Sequence, residues 1–126
     1  MFKDCNKINE IDLSNFDTSD VTDMNEMFYN CFSLNKLNLS NFNTSRVRLM
    51  SSMFYHCTNL VSLDLSNFNT QKVIIMHRML YNCSSLSFLN LSNFDTSSVT
   101  NMGSMFSFCT NLLSLDLSSF IIFIKF

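Results

Sequence analysis

The chain has 126 residues, 47% of them hydrophobic, which is enough for one domain with a real core and excludes a disordered segment. A formal net charge of −2, with 14% charged residues, gives neither the basic stripe that phosphate binding needs nor an acidic tail, so a nucleic-acid partner is not expected. No apolar run approaches the roughly 18 residues of a membrane span, and the opening MFKDCNKINE lacks the apolar stretch of a signal peptide.

Comparing the chain with itself at a fixed offset reveals its organisation. Cys5, Cys31, Cys57, Cys83 and Cys109 recur every 26 residues. The same interval relates IDLSNF, LNLSNF, LDLSNF, LNLSNF and LDLSSF, which begin at Ile11, Leu37, Leu63, Leu89 and Leu115. Val21, Val47, Val73 and Val99 keep the register, as do Met24, Met50, Met76 and Met102, and no insertion interrupts any unit.

In chain order, Met1 and Phe2 occupy the positions of Met27 and Phe28, so the chain enters in the middle of a unit. Each unit then divides into two halves. In Leu34, Leu37, Leu39 and Phe42 the alternation of Leu37 and Leu39 predicts a short strand that pairs in parallel with its copies. Val47, Met50, Met53, Phe54 and Cys57 follow at offsets of three, six, seven and ten, which predicts a short helix or 3₁₀ turn with Thr44 and Ser45 as N-caps. The two halves alternate to Phe120. Residues 1–120 are thus expected to form an α/β repeat solenoid of about four and a half coils. The remaining IIFIKF, residues 121–126, is expected to be an out-of-register hydrophobic tail, either a truncation or frameshift scar or an end strand on the last coil.

One unit cannot bury its Leu, Met and Phe alone, so stacking must supply the core. Parallel strands in successive coils lie about 4.7 to 4.9 Å apart, and side chains at matching positions therefore form ladders. A ladder with one cysteine per coil makes a line of sulfurs, which argues against the four converging ligands of zinc and leaves free buried thiols as the expectation. Asp12, Asn38, Asp64, Asn90 and Asp116 share one position, and we expect the interposed Asn to relieve carboxylate repulsion; a row of calcium sites is the functional alternative. Tyr29, Tyr55 and Tyr81 share another, as a half-buried ladder or an exposed aromatic stripe. No G-x-S-x-G, C-x-x-C, H-E-x-x-H or glycine-rich phosphate loop is present, so no catalytic residue, cofactor or metal is expected.

The motif C-x-S-L-x-x-L-x-L-S-N-F-x-T-S-x-V-x-x-M-x-x-M-F, seen in segments such as LDLSNFNTQKV and LNLSNFDTSSVT, resembles the 26-residue repeat of surface proteins in mycoplasmas and many Gram-positive bacteria. That repeat is related to the BspA-like leucine-rich repeats. The resemblance covers residues 1–120 and implies a leucine-rich-repeat-like solenoid from a cell-surface or secreted protein, serving in adhesion or host interaction, with no catalytic residues. The mid-unit start and the IIFIKF end, together with the lack of an export signal, lipobox or wall anchor in the chain, predict a fragment of a longer surface protein.

Positions that vary between coils are free of packing demands and should draw any binding face. One strand-side series is Glu10, Lys36, Ser62, Phe88 and Ser114; beside it run Asn9, Asn35, Val61, Ser87 and Leu113. A second series, Asp20, Arg46, Lys72 and Ser98, places two basic groups on adjacent coils. The candidate interaction residues are therefore Glu10, Lys36, Val61, Phe88, Leu113, Arg46 and Lys72. The expected function is a non-enzymatic module recognising a host or cell-surface protein or glycan, with end-to-end self-association. The competing expectation is a structural spacer or decayed repeat fragment with no ligand.

Overall fold

The computed structural model describes residues 1–121. Its parallel backbone bridges all join residues one unit apart, and local turns close between them. Strand β1 (Ser62–Asp64) pairs in parallel with β2 (Phe88–Asn90), with Ser62 opposite Phe88, Leu63 opposite Leu89 and Asp64 opposite Asn90. This is the predicted Leu-x-Leu strand, and Leu63 and Leu89 stand side by side as a ladder requires. A single bridge, Glu10 to Lys36, repeats the pairing between the first two units.

The longest ladder lies elsewhere. Asp23, Leu49, Ile75 and Asn101 are bridged in parallel, one after another, through four units. Arg48 N–H donates to Thr22 (2.8 Å), Ile74 to Arg48 (2.9 Å) and Thr100 to Ile74 (2.9 Å), which continues the same column. The column was invisible in the repeat pattern because its side chains are half-buried or exposed, so packing leaves their identity free.

The half-unit whose spacing predicts a helix or 3₁₀ turn forms consecutive turns instead, and no helix occurs among the described residues. The donors explain it. In the unit around Cys57, the N–H groups of Met50, Ser52, Phe54 and His56 all reach into the next unit, to the carbonyls of Ile75, His77, Met79 and Tyr81 at 2.9 to 3.0 Å. The intervening N–H groups of Tyr55 and Cys57 close local turns on Ser52 and Phe54 at 3.1 Å. Alternate donors spent on a neighbour leave no i to i−4 ladder. Ser52 and His56 also take positive φ, 55° and 59°, and the same two positions do so in other units as Glu26 and Asn30, Arg78 and Asn82, and Ser104 and Phe108. A left-handed non-glycine residue costs about 1 to 2 kcal/mol in a helix, and two per half-unit close that route.

Thr44 is not an N-cap. It is buried, and its hydroxyl donates to the Asn69 carbonyl (3.0 Å) while accepting the Asn69 N–H (2.8 Å). Thr18 holds Asn43 this way, Thr70 holds Asp95, and Thr96 holds the backbone of Ile121. Ile121 thus carries the backbone register one residue past Phe120, whatever its side chain. The expectation for the rest of the tail falls on residues 122–126, which lie outside the described residues.

Between the two halves sits an apolar column. Phe2, Phe28 and Phe54 stack at 5.5 and 5.6 Å, Phe42 and Phe68 at 6.5 Å, and Phe94 and Phe120 at 6.1 Å, each pair within 8° of parallel. Leu63, Leu65, Met50, Met53, Met76 and Val73 fill the space around them with at most 1% of their surface exposed. At roughly 1.5 to 3 kcal/mol per buried large apolar side chain, this column is the main stabilising term.

The single glycine has a packing cause. Gly103 does not need glycine's freedom at φ; a Cβ there would stand 3.3 Å from Nδ1 of His77, one unit earlier. Ser51 and His77 hold the same repeat position, and the residues one unit before them, Asn25 and Ser51, carry no imidazole. Gly103 is itself exposed, so Gly103→Leu is expected to destabilise the wild type by no more than about 1 kcal/mol, through pressure on the His77 ring. In a His77→Ser background the same change should cost less, and a double-mutant cycle from thermal unfolding reads the coupling.

Candidate interaction surface

The two strand-side series lie on adjacent positions of successive units. All members of the Glu10, Lys36, Ser62, Phe88, Ser114 series are exposed, and so are Asn9, Asn35, Val61, Ser87 and Leu113. Glu10 is bridged to Lys36, Ser62 is paired with Phe88, and the Val61 carbonyl accepts the N–H groups of Ser87 (2.9 Å) and Phe88 (3.3 Å). The two series therefore run side by side. Their early end is charged and their late end apolar: Val61 is 50% exposed, Phe88 54% and Leu113 94%. Three exposed apolar residues thus fall in one row on successive units.

The basic series behaves differently. Arg46 forms an ion pair with Asp20 one unit earlier, both side chains largely exposed. Arg46 and Lys72 consequently do not make an uncompensated cationic pair, and an exposed ion pair contributes about 0 to 1 kcal/mol. No hydrogen bond or ion pair joins this series to the strand-side face among the described residues.

Most repeated polar side chains are occupied within the molecule. Asp12, Asn38, Asp64, Asn90 and Asp116 each accept the backbone N–H two residues on, from Ser14, Ser40, Ser66, Ser92 and Ser118, at 2.9 to 3.1 Å. The position is thus an Asx turn, which Asp and Asn serve equally well. The Ser14, Ser66 and Ser118 N–H groups and hydroxyls hold Asp12, Asp64 and Asp116 below the usual carboxylate range, and the Asn90 side chain adds to this at Asp64. Asn41 donates to the Leu13 carbonyl (2.9 Å) and Asn67 to that of Leu39 (3.0 Å), which ties each turn to the one before. A hollow of roughly 470 Å³ beside Glu10, bordered by Asp12, Asn38 and Asn41, is lined by these same committed groups. Among the described residues no three of His, Cys, Asp and Glu converge on a point.

The cysteines are free thiols, buried at Cys31, Cys57 and Cys83 and half-buried at Cys5 and Cys109. Each of the last four donates to a carbonyl 29 residues earlier: Cys31 to Phe2, Cys57 to Phe28, Cys83 to Phe54 and Cys109 to Leu80, at 3.0 to 3.2 Å. Burial pushes the Cys31 thiol from 9.0 up to about 11, and those of Cys57 and Cys83 higher still. The folded chain therefore holds these protons after the unfolded chain has released them. Stability is fully present below pH 9.0 and is lost as pH rises through about 11 and beyond. Urea unfolding at rising alkaline pH should show that fall, with a shallower slope in Cys57→Ala. All five thiols should titrate after unfolding without reductant, and natively Cys57 should react more slowly than Cys5.

The tyrosines form a ladder. Tyr29, Tyr55 and Tyr81 are half-buried and stack at 4.7 and 4.9 Å with ring planes within 9°. Lys3 covers the outer face of Tyr29 at 4.8 Å and Phe108 meets Tyr81 edge-on at 5.2 Å. Ring faces taken up by neighbours are not platforms for the apolar face of a sugar.

Fold and surface together define a tandem-repeat protein whose repeated polar groups serve the stack and whose variable positions form an exposed row. The chain belongs to the family described as Mycoplasma protein of unknown function, DUF285, whose model matches residues 1–120. Comparisons with curated proteins and with solved structures gave no match.

Proposed function

We propose that the chain is a leucine-rich-repeat-like solenoid, part of a bacterial surface protein, that binds a host or cell-surface protein through its strand-side row. The observation that carries this reading is the exposed apolar end of that row, Val61, Phe88 and Leu113, on three successive units. Register-true pairing at one-unit intervals supports the solenoid. The surface-protein resemblance of its motif supports the location, and membership in the Mycoplasma family of unknown function is compatible with it. The stacked tyrosine faces favour a protein ligand over a glycan.

A spacer role is the second reading, and one observation favours it: the Thr, Cys, Asx and Asn ladders spend their hydrogen-bonding groups inside the stack. Binding of the chain to intact host cells and to immobilised matrix proteins, compared with Phe88→Ser/Leu113→Ser and with Lys72→Ser, separates the two. Interaction through the row predicts a loss of roughly tenfold or more in the double variant and little change in Lys72→Ser. Absent binding supports the spacer, whereas equal binding by all three proteins overturns the row as the binding surface.

A further inference from the structure

We propose that the Tyr29, Tyr55 and Tyr81 ladder is a site of oxidative phenol coupling, at which peroxide acting through a one-electron oxidant joins neighbouring tyrosines into dityrosine and staples successive units. The inference rests on the ladder alone and is independent of the binding function proposed above.

The stacking distances carry it. Tyr29 to Tyr55 and Tyr55 to Tyr81 stand at 4.7 and 4.9 Å with interplanar angles of 3° and 9°, closer than the 5.5 to 6.5 Å of the stacked phenylalanines. Coupling of two phenoxyl radicals is limited by their meeting in solution, and here each tyrosine already has its partner in van der Waals reach. His56 stacks on Tyr55 at 4.2 Å and on Tyr81 at 5.9 Å, which limits the rings' freedom to turn away. The competing reductants of the central units are withdrawn: Cys31, Cys57, Cys83, Met53 and Met79 have no exposed surface, and those thiols donate to carbonyls, which leaves the half-buried Cys5 and Cys109 and the exposed Met1 toward the ends.

The chemistry balances without a further reactant. Each phenol gives up one electron and one proton, and the two phenoxyl radicals form a carbon–carbon bond between their Cε atoms. The hydrogen on each joined carbon then moves as a proton to the phenolic oxygen and restores the aromatic rings. One hydrogen peroxide takes the two electrons and two protons and becomes two waters.

The test treats the full chain with a haem peroxidase and hydrogen peroxide at neutral pH. Expected are the blue fluorescence of dityrosine in a monomeric band on a denaturing gel, an intact mass lower by two hydrogens, and tryptic cross-links joining Tyr29 to Tyr55 or Tyr55 to Tyr81. Tyr55→Phe keeps the stacked ring but removes the central phenol, and should cut the intramolecular yield roughly tenfold, since Tyr29 and Tyr81 are two units apart. Tyr29→Phe should leave the Tyr55 to Tyr81 product in place. Thermal unfolding of each variant before oxidation verifies that the stack is intact, and a variant that fails this is replaced by wild type oxidised in urea, where the yield should fall likewise. Dityrosine confined to dimers, an unchanged monomer yield in Tyr55→Phe or in urea, or no dityrosine in the wild type would each overturn the proposal.

Discussion

Leu63→Asp is expected to abolish cooperative folding. Leu63 lies in β1 opposite Leu89, is 1% exposed, and has units stacked on both sides. The substitution removes a buried apolar side chain, worth about 2 to 5 kcal/mol when truncated, and leaves a carboxylate in a site with no cation to pair it. Such sums approach the roughly 5 to 15 kcal/mol that holds a whole domain together. Circular dichroism, sedimentation and thermal unfolding check it: a soluble variant that still unfolds cooperatively would contradict the account of the core. Leu113→Asp is the contrasting control. That side chain is 94% exposed, so its effect on stability should stay within about 0.5 kcal/mol.

The second large effect should come from a single oxygen. Thr70 is 1% exposed, and its hydroxyl donates to the Asp95 carbonyl (2.9 Å) while accepting the Asp95 N–H (2.8 Å). Thr70→Val preserves shape but orphans both backbone groups, and each unsatisfied group costs about 1 to 3 kcal/mol. A fall in melting temperature of roughly 10 °C is expected. Thr70→Ser retains the oxygen and should recover most of the loss, whereas equal losses in both would point to the missing methyl group. Asp95→Ala should have a smaller effect, because the bonds in question belong to its backbone.

Much of this architecture was legible from residue identity. A 26-residue interval that relates cysteines, leucines and methionines without a slip can be satisfied only if matching positions have matching surroundings, and the Leu63 to Leu89 pair and the Phe28 to Phe54 stack meet that condition. The exposed row was legible for the complementary reason. Phe88 and Lys36 share a repeat position that tolerates both, and a position tolerating both is not inside a core.

Tertiary structure alone decided the rest. Val47, Met50, Met53, Phe54 and Cys57 have helical spacing because all five are buried in the core, and the observed run of turns buries them at the same offsets without a helix. Periodicity records which side chains are buried; it does not record where the N–H groups go, and here every second donor goes to the next unit. Thr44 looked like a cap because both roles need a hydroxyl at the edge of an apolar run, and only the stacking partner Asn69 distinguishes them. The continuous Asp23, Leu49, Ile75, Asn101 ladder left no trace because backbone pairing makes no demand on outward side chains. Thus the amino-acid sequence by itself determined the unit, its register and which positions face the core, through the packing demands on side chains. The path of the backbone between those positions was decided by hydrogen bonds that exist only once the units are stacked.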